Sequence, residues 1–247
     1  MHFGLIGKSL SHSFSKSYLE EKFIKEDKSG FQYSNFDLEN LDYLLQIITD
    51  HHLSGLNVTK PYKELVIPFL NELDSTAKEI GAVNCIKIIW NDNTPYLIGY
   101  NTDYYGFAQS IKPFLEPIHQ RALILGTGGA SKAIAFALQN VGVDVYYVTS
   151  QDKKAVNYFQ YDELNEYVLN AFKLIVNCTP LGMYPNTEEV PNIPFELVTS
   201  EHLLYDLIYN PEETLFLQKG KAQGAVTING LNMLKLQADK AWQIWHT

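Results

Sequence analysis

Apolar positions fall along the chain in two rhythms: short unbroken runs that stop at glycine or a polar cluster, and longer stretches where they recur every three or four residues. Residues 3–6 predict a first strand closed by Gly7, and Leu19 and Phe23, four apart, mark one face of the helix after it. Residues 31–36 predict a second strand. Leu41, Leu44, Leu45 and Ile48 recur at i, i+3, i+4 and i+7, so all four are expected in the core. Residues 55–63 read as a short strand running into a helix opened by Pro61, because proline suits the first helical turn. Residues 67–80 continue in helical fashion. Residues 85–90 are rich in β-formers, and Asn91-Asp92-Asn93 supplies the turn of a hairpin that returns through 96–100.

Past residue 121 the pattern changes, and strand-length apolar runs at 122–125, 143–148, 174–177 and 203–208 alternate with helical stretches, as parallel βαβ units do. Leu231, Leu234, Ala238, Ala241 and Trp245 then form one stripe of a last helix, expected to pack across a domain face. The first of these runs ends at Gly126-Thr127-Gly128-Gly129, and from Ala130 helix formers take over. Such a corner suits a nucleotide pyrophosphate: Gly126 allows the tight turn, Gly128 lets a phosphate approach the backbone, and the helix start offers N–H groups to the anion. Ser131 stands where the usual third glycine would, small enough to keep helix and strand close. Taken alone, the turn reads equally as an ordinary strand-to-helix corner.

Composition narrows the classes. A chain of 247 residues has room for two modest cores, and a formal charge of −9 without a basic patch argues against a nucleic-acid partner. Cys85 and Cys178 lie far apart with no ligand-like spacing, which predicts two inert thiols and no metal. No segment reads as a signal peptide or a membrane span, so a cytoplasmic protein with no membrane partner is expected.

Polar residues gather at three places. The loop 8–15 crowds Ser9, Ser11, His12, Ser13 and Ser15 together; one serine would cap the following helix, whereas Ser13 and Ser15 as a pair suit a polyhydroxyl ligand. Asn57, Thr59 and Lys63 gather at the C-terminal end of a strand, where open α/β sheets bind ligands. Asn101-Thr102-Asp103 reads first as a helix cap.

In order, His12-Ser13-Phe14-Ser15, Asn57-Val58-Thr59-Lys60-Pro61-Tyr62-Lys63, Gly81-Ala82-Val83-Asn84, Asn101-Thr102-Asp103, the Gly126–Ser131 turn, Asn177-Cys178-Thr179-Pro180-Leu181-Gly182-Met183, Tyr205-Asp206-Leu207-Ile208-Tyr209-Asn210-Pro211 and Asn229-Gly230-Leu231 through Gln237-Ala238 resemble the shikimate dehydrogenase family over nearly the whole chain. The resemblance implies an α/β protein of two domains. A substrate domain would span residues 1–102, with 231–247 packing back onto it, and a Rossmann-like domain 103–230. It implies reversible reduction of 3-dehydroshikimate to shikimate with NADP, or NAD as the alternative, in a monomer or homodimer. Lys63 and Asp103 would serve the reacting carbon. Ser13, Ser15, Thr59, Asn84 and Gln237 would grip the substrate, with Asn57 and Tyr209 close by. Gly126, Thr127, Gly128, Gly129, Ala130, Ser131, Thr149, Ser150, Lys153, Lys154, Thr179, Gly230 and Met233 would meet the cofactor.

The chain departs from the family pattern in two places. Ser9 and Lys16 replace prolines around the first loop, and the turn after the second strand of the Rossmann-like part has no arginine for a 2′-phosphate. That turn offers Thr149, Ser150, Asp152, Lys153 and Lys154, net positive, which favours NADP by less than an arginine clamp would. The same lysines also read as solvated residues opening a helix. Two other functions stay open: an NAD-dependent quinate or dual-specificity shikimate/quinate dehydrogenase, and a nucleotide-binding regulatory module without catalysis. Retention of both Lys63 and Asp103 speaks against the module, because a pure binder needs no acid/base pair.

Overall fold

The computed structural model describes residues 1–8, 10, 14–28, 30–151 and 155–247. They form two compact units, Met1–Tyr105 with Gln237–Thr247, and Gly106–Leu236.

Unit 1 runs β1 (His2–Gly7), α1 (Phe14–Lys25), β2 (Gln32–Asp37), α2 (Leu44–Asp50), β3 (Leu53–Val58), α3 (Tyr62–Leu65), β4 (Glu72–Leu73), α4 (Ser75–Ile80), β5 (Cys85–Asn91), β6 (Thr94–Tyr100) and the start of α5 (Asp103–Ile111). Its sheet has the order β2-β1-β3-β5-β6-β4. β1 pairs in parallel with both β2 and β3, and Ile6 lies opposite Val58, so β1 and β3 end at the same edge of the sheet. β5 and β6 form the antiparallel hairpin that the turn residues predict, with Asn91 opposite Thr94. One apolar core lies under α2 and includes Leu44, Ile48, Leu53, Leu56 and Ile86, none with exposed surface.

Two expectations fail in this unit. Leu45 is 51% exposed, because it stands about 100° round the helix from Leu44 and falls off the stripe that meets the sheet. Residues 67–80 are not one helix: after a 3₁₀ turn at Ile67–Phe69 the chain extends at Leu70, and Glu72–Leu73 pairs with β6. A new helix begins where the Asp74 carboxylate accepts from the Ala77 N–H at 2.9 Å. Pro68, which has no N–H to donate, and a strong N-cap explain the break.

Unit 2 runs β7 (Arg121–Leu125), α6 (Gly129–Gln139), β8 (Asp144–Val148), β9 (Tyr158–Phe159), α7 (Glu166–Ala171), β10 (Leu174–Asn177), β11 (Leu203–Asp206), α8 (Leu215–Ala222), β12 (Val226–Ile228) and the start of α9 (Leu231–His246). Every pairing is parallel, in the order β12-β11-β10-β7-β8-β9. From the β9 edge the strands rank third, second, first, fourth, fifth and sixth in the chain, which is the doubly wound nucleotide-binding order, and its direction reverses between β7 and β10. Leu123, Ile124, Leu174, Ile175 and Val176 have no exposed surface, as strands covered on both faces require. β11 stops at Asp206, two residues short of the predicted end, because the Asp206 carboxylate accepts from the Ile208 N–H at 3.0 Å and turns the chain.

α9 starts in unit 2 and ends in unit 1. Ala238, Ala241 and Trp245 are buried as predicted, Leu231 and Leu234 are half-buried, and Trp242 joins the buried face. The Trp245 indole donates to the Ile86 carbonyl at 3.0 Å and stacks on Phe3, and a Cβ added to Gly55 would run into its ring.

Candidate active site

The polar cluster of unit 1 is built at the ends of its central strands. α3 begins directly after the turn that leaves β3, and it carries Lys63; α5 opens with Asp103. The Lys63 ammonium donates to Asp103 Oδ2 at 2.6 Å, with the side chains 19% and 8% exposed. A pair this sheltered keeps charge-assisted strength that a surface pair loses to solvent. Asn101 does cap α5, its side-chain oxygen accepting from the N–H groups of Asp103 and Tyr104 at 3.1 and 3.3 Å. The cap reading of Asn101-Thr102-Asp103 holds, and the cap sets the Asp103 carboxylate at the first turn of α5.

Asn84, just before β5, ties the cluster. Its Oδ1 accepts from the Thr102 N–H at 2.6 Å, which turns its amide nitrogen toward Asp103 Oδ1 at 2.8 Å and Thr102 Oγ1 at 3.0 Å. The Thr102 hydroxyl, fully buried, reaches Gln237 Oε1 of α9 at 3.3 Å. Asn57, at the penultimate position of β3, accepts from the buried Tyr33 hydroxyl at 2.7 Å and points its amide at the Asn84 carbonyl, 3.4 Å away. Thr59 is half-exposed one residue past β3, and its N–H donates to the Ile6 carbonyl at 2.9 Å. Ser15 is half-exposed in the first turn of α1. Ser13 lies outside the described residues. Lys63, Asp103, Asn84 and Gln237 are therefore brought into one network, with Asn57 at its margin. Tyr209 is in unit 2, half-buried after β11, and burial raises its hydroxyl above the ordinary tyrosine value.

In unit 2 the turn after β7 has the shape the sequence predicts. Gly126 sits at φ +95°, where a side chain is strained, and an added Cβ would stand 3.1 Å from Thr179 Cγ2 of the turn after β10. Gly128 differs: its φ is −78°, and an added Cβ would meet nothing within 4 Å. Neither packing nor conformation demands glycine there, and the open space lies beside the start of the eleven-residue helix α6, the geometry of an anion seat. Thr127 and Ala130 are half-exposed beside it and Gly129 opens α6, whereas Ser131 is buried and donates to the Gly128 carbonyl at 2.6 Å. Thr149, past the end of β8, is buried and accepts from the Gln151 N–H at 3.1 Å; Ser150 is exposed, and Lys153 and Lys154 lie outside the described residues. A Cβ on Gly230 would run into the Leu207 carbonyl, and Met233, one turn into α9, is buried. Gly126 to Ser131, Thr149 and Thr179 thus lie at or just past the C-terminal ends of β7, β8 and β10.

Sequence reading assigned no role to Thr102, Asn177 or Asp206. Asn177 Oδ1 holds both the N–H and the hydroxyl of Thr179, at 3.0 and 2.6 Å, and its amide donates to Asp206 Oδ1 at 3.1 Å. Their one signal in the sequence is a polar residue closing an apolar strand. Burial lifts both thiols, Cys85 and Cys178, above the ordinary cysteine range, which makes them poor nucleophiles. Among the described residues no group of His, Cys, Asp and Glu is placed to hold a metal ion, and no helix is long and apolar enough to cross a membrane.

Known proteins match this geometry along the whole chain. The family model for the shikimate dehydrogenase substrate binding domain matches residues 5–86. A shikimate dehydrogenase (NADP(+)) of Desulforamulus reducens is 36% identical, covering 98% of this chain and 88% of the relative. Shikimate dehydrogenase 1 of Peptoclostridium difficile has a solved structure 38% identical that superposes with a TM-score of 0.85 over 99% of this chain and 91% of that one. The Thermus thermophilus shikimate 5-dehydrogenase, solved in complex with NADP(H) and shikimate, is 29% identical, with a TM-score of 0.84 over 99% of this chain and 93% of that one.

Proposed function

The chain belongs to the shikimate dehydrogenase family, and from that premise we propose that it carries out the NADP-dependent, reversible reduction of 3-dehydroshikimate to shikimate in the biosynthesis of chorismate and the aromatic amino acids. The observation that carries this reading is the sheltered Lys63–Asp103 pair with Asn84 on the same carboxylate.

Bound NADPH supplies the hydride. The protein's task is to hold the ring carbonyl and to manage one proton. Lys63 gives its ammonium proton to the carbonyl oxygen as negative charge builds there, and in the reverse direction takes the hydroxyl proton back. Asp103 keeps the ammonium in place through its 2.6 Å bond and is itself held by Asn84. Ser13, Ser15, Asn57, Thr59, Asn84, Gln237 and Tyr209 would meet the hydroxyls and carboxylate of the substrate. A site of this composition rejects analogues that leave one of its polar groups unpaired. Gly126 to Ser131 would seat the pyrophosphate, Thr149, Ser150, Lys153 and Lys154 the 2′-phosphate, and Thr179, Gly230 and Met233 the rest of the cofactor.

The test is the nicotinamide absorbance band followed during incubation of the protein with shikimate and NADP⁺, beside matched incubations with quinate and with NAD⁺. Reduction fastest with shikimate and NADP⁺ is the expected result. A folded protein that leaves NADP⁺ unreduced, or turns over quinate with NAD⁺ faster, would overturn it.

A further inference from the structure

Asp206 is a carboxylate with no exposed surface, and no step above uses it. Its oxygens accept three bonds: from the Asn177 amide at 3.1 Å, the Ile208 N–H at 3.0 Å and the Thr214 hydroxyl at 2.6 Å. Each donor belongs to a different segment. Asn177 ends β10 and holds Thr179, whose methyl group would lie 3.1 Å from a Cβ on Gly126. Ile208 sits in the turn that bears Tyr209, and its carbonyl accepts from the Gly230 N–H at 3.0 Å, just before α9 and Met233. Thr214 is the N-cap of α8 and accepts from the Leu217 N–H.

We propose that Asp206 is a positioning residue for cofactor binding, a buried acceptor that fixes Thr179 through Asn177 and fixes Gly230 and the Tyr209 turn through Ile208. The proposal rests on the reading above that Thr179, Gly126, Gly230 and Met233 meet NADP. Alongside the bonds from Leu207 N–H to the Asn177 carbonyl and from Tyr184 N–H to the Asn210 carbonyl, at 3.1 and 3.2 Å, this charged oxygen pair ties the turn after β10 to the turn after β11, both at the edge of the sheet where the strand order places a nucleotide. Removing it leaves three buried donors without an acceptor, so each segment is released to find one elsewhere.

Burial raises the Asp206 carboxyl to about 6, against the pull of its three donors. Protonation turns one accepting oxygen into a donor, so the ionised form is the one that fixes all three segments. Cys178, the titratable side chain that couples to it, stays a neutral thiol in this range because burial and Asp206 itself raise it. Glu213, next to Thr214, is paired with Lys221 at 2.8 Å, and the Tyr205 hydroxyl on the same strand is engaged by Ser110 at 2.7 Å.

The experiment measures NADP⁺ and shikimate dissociation constants separately by calorimetry for the full chain and for Asp206→Asn, Asp206→Ala and Thr214→Val, with circular dichroism to establish folding. Expected are NADP⁺ binding about tenfold weaker or worse in Asp206→Ala, a smaller loss in the other two, and a loss of shikimate binding that is smaller than the NADP⁺ loss in each variant, because only the Tyr209 turn reaches that ligand. From pH 7 to pH 5 the wild-type affinity should fall more than that of Asp206→Asn; the ionisation of the cofactor's own phosphate is common to both and cancels in the ratio. If Asp206→Ala does not fold, Asp206→Asn and Thr214→Val decide. Wild-type NADP⁺ affinity in folded Asp206→Asn, with the same pH profile, would overturn the positioning role while leaving the cofactor reading intact. Failure of the wild-type chain to bind NADP⁺ would overturn both.

Discussion

The polar cluster of unit 1 and the glycine turn of unit 2 solve the problem of holding a ligand in opposite ways. In unit 1 the groups that would do the work are side chains, and they are fixed by one another: Lys63 by Asp103, Asp103 by Asn84, Asn84 by the Thr102 backbone, Gln237 by the Thr102 hydroxyl. At the glycine turn of unit 2 the working surface is backbone. Side chains there matter by being absent, as at Gly126 and Gly128, or by holding loops from behind, as Asn177 and Asp206 do. Changes in the first region should therefore register in the chemical step or in shikimate binding, and changes in the second chiefly in the affinity for NADP⁺.

The largest effect expected from this contrast is on Lys63→Ala, which should lower kcat by about 10²- to 10⁴-fold, the range of a lost general acid, with little change in NADP⁺ affinity. Steady-state rates of the folded variant check it; an unchanged kcat would remove Lys63 from the mechanism.

Next comes a pH effect in unit 2. With the Asp206 carboxyl at about 6 when folded and 3.8 as its ordinary value, the folded chain holds this proton more tightly. The group's contribution therefore makes the fold less stable as pH rises from about 4 through 6, by on the order of 3 kcal/mol, and nothing further is gained below the lower value. Urea midpoints of wild type and Asp206→Asn across that window should diverge as pH rises, with the variant relatively favoured. Parallel curves would contradict the assignment.

Gly126→Ala should cost roughly 1–2 kcal/mol, the penalty for a Cβ in left-handed backbone, and weaken NADP⁺ binding by pressing on Thr179, while Gly128→Ala, at the N-cap of α6, should cost a smaller amount, on the order of 0.5 kcal/mol, and weaken NADP⁺ binding. Melting temperatures and cofactor titrations separate the two, and equal losses of stability would refute the distinction. The smallest change is expected of Thr102→Val: a few-fold rise in the shikimate KM with the NADP⁺ KM untouched, from the loss of one hydroxyl worth about 1 kcal/mol. A rise in both would show that the two regions are not separable in this way.

The parts legible in the sequence are those whose cause is local. The β7 run, its glycine turn and the onset of α6 follow from consecutive residues, as do the 85–100 hairpin and the buried half of α9. The two-residue strands β4 and β9 and the three-residue β12 carry too few positions to show a period, and they pair only because a sheet edge is there to meet them. The break at residues 67–80 turned on the Asp74 cap, which the apolar pattern does not register. Lys63 showed in the pattern as part of a polar group at a strand end, but its partners across the chain did not. Asn84 and Gln237 are 153 residues apart in the chain, and motif resemblance, not periodicity, brought them to notice. Thr102, Asn177 and Asp206 sat inside those motifs without a role, since a hydrogen bond between two turns leaves no trace in either turn's own sequence.

α9 gives the molecule an order of assembly. Ribosomes deliver residues 106–236, the whole of unit 2, before they deliver 237–247, which unit 1 needs to close. Until then Phe3 and Phe23 lack the indoles of Trp242 and Trp245 against them, and the Thr102 hydroxyl lacks Gln237. We expect the half of the protein made later to mature first, and the half made first to wait with its apolar face uncovered. Protease digestion of chains arrested after Leu236 should spare 106–236 and cut within 1–105; equal resistance of both would show that unit 1 closes without its last helix. Asn84 and Thr102, which flank Asp103, gain the Gln237 side chain only with residues 237–247, so that a chain arrested after Leu236 keeps its nucleotide fold and lacks one side of the polar cluster.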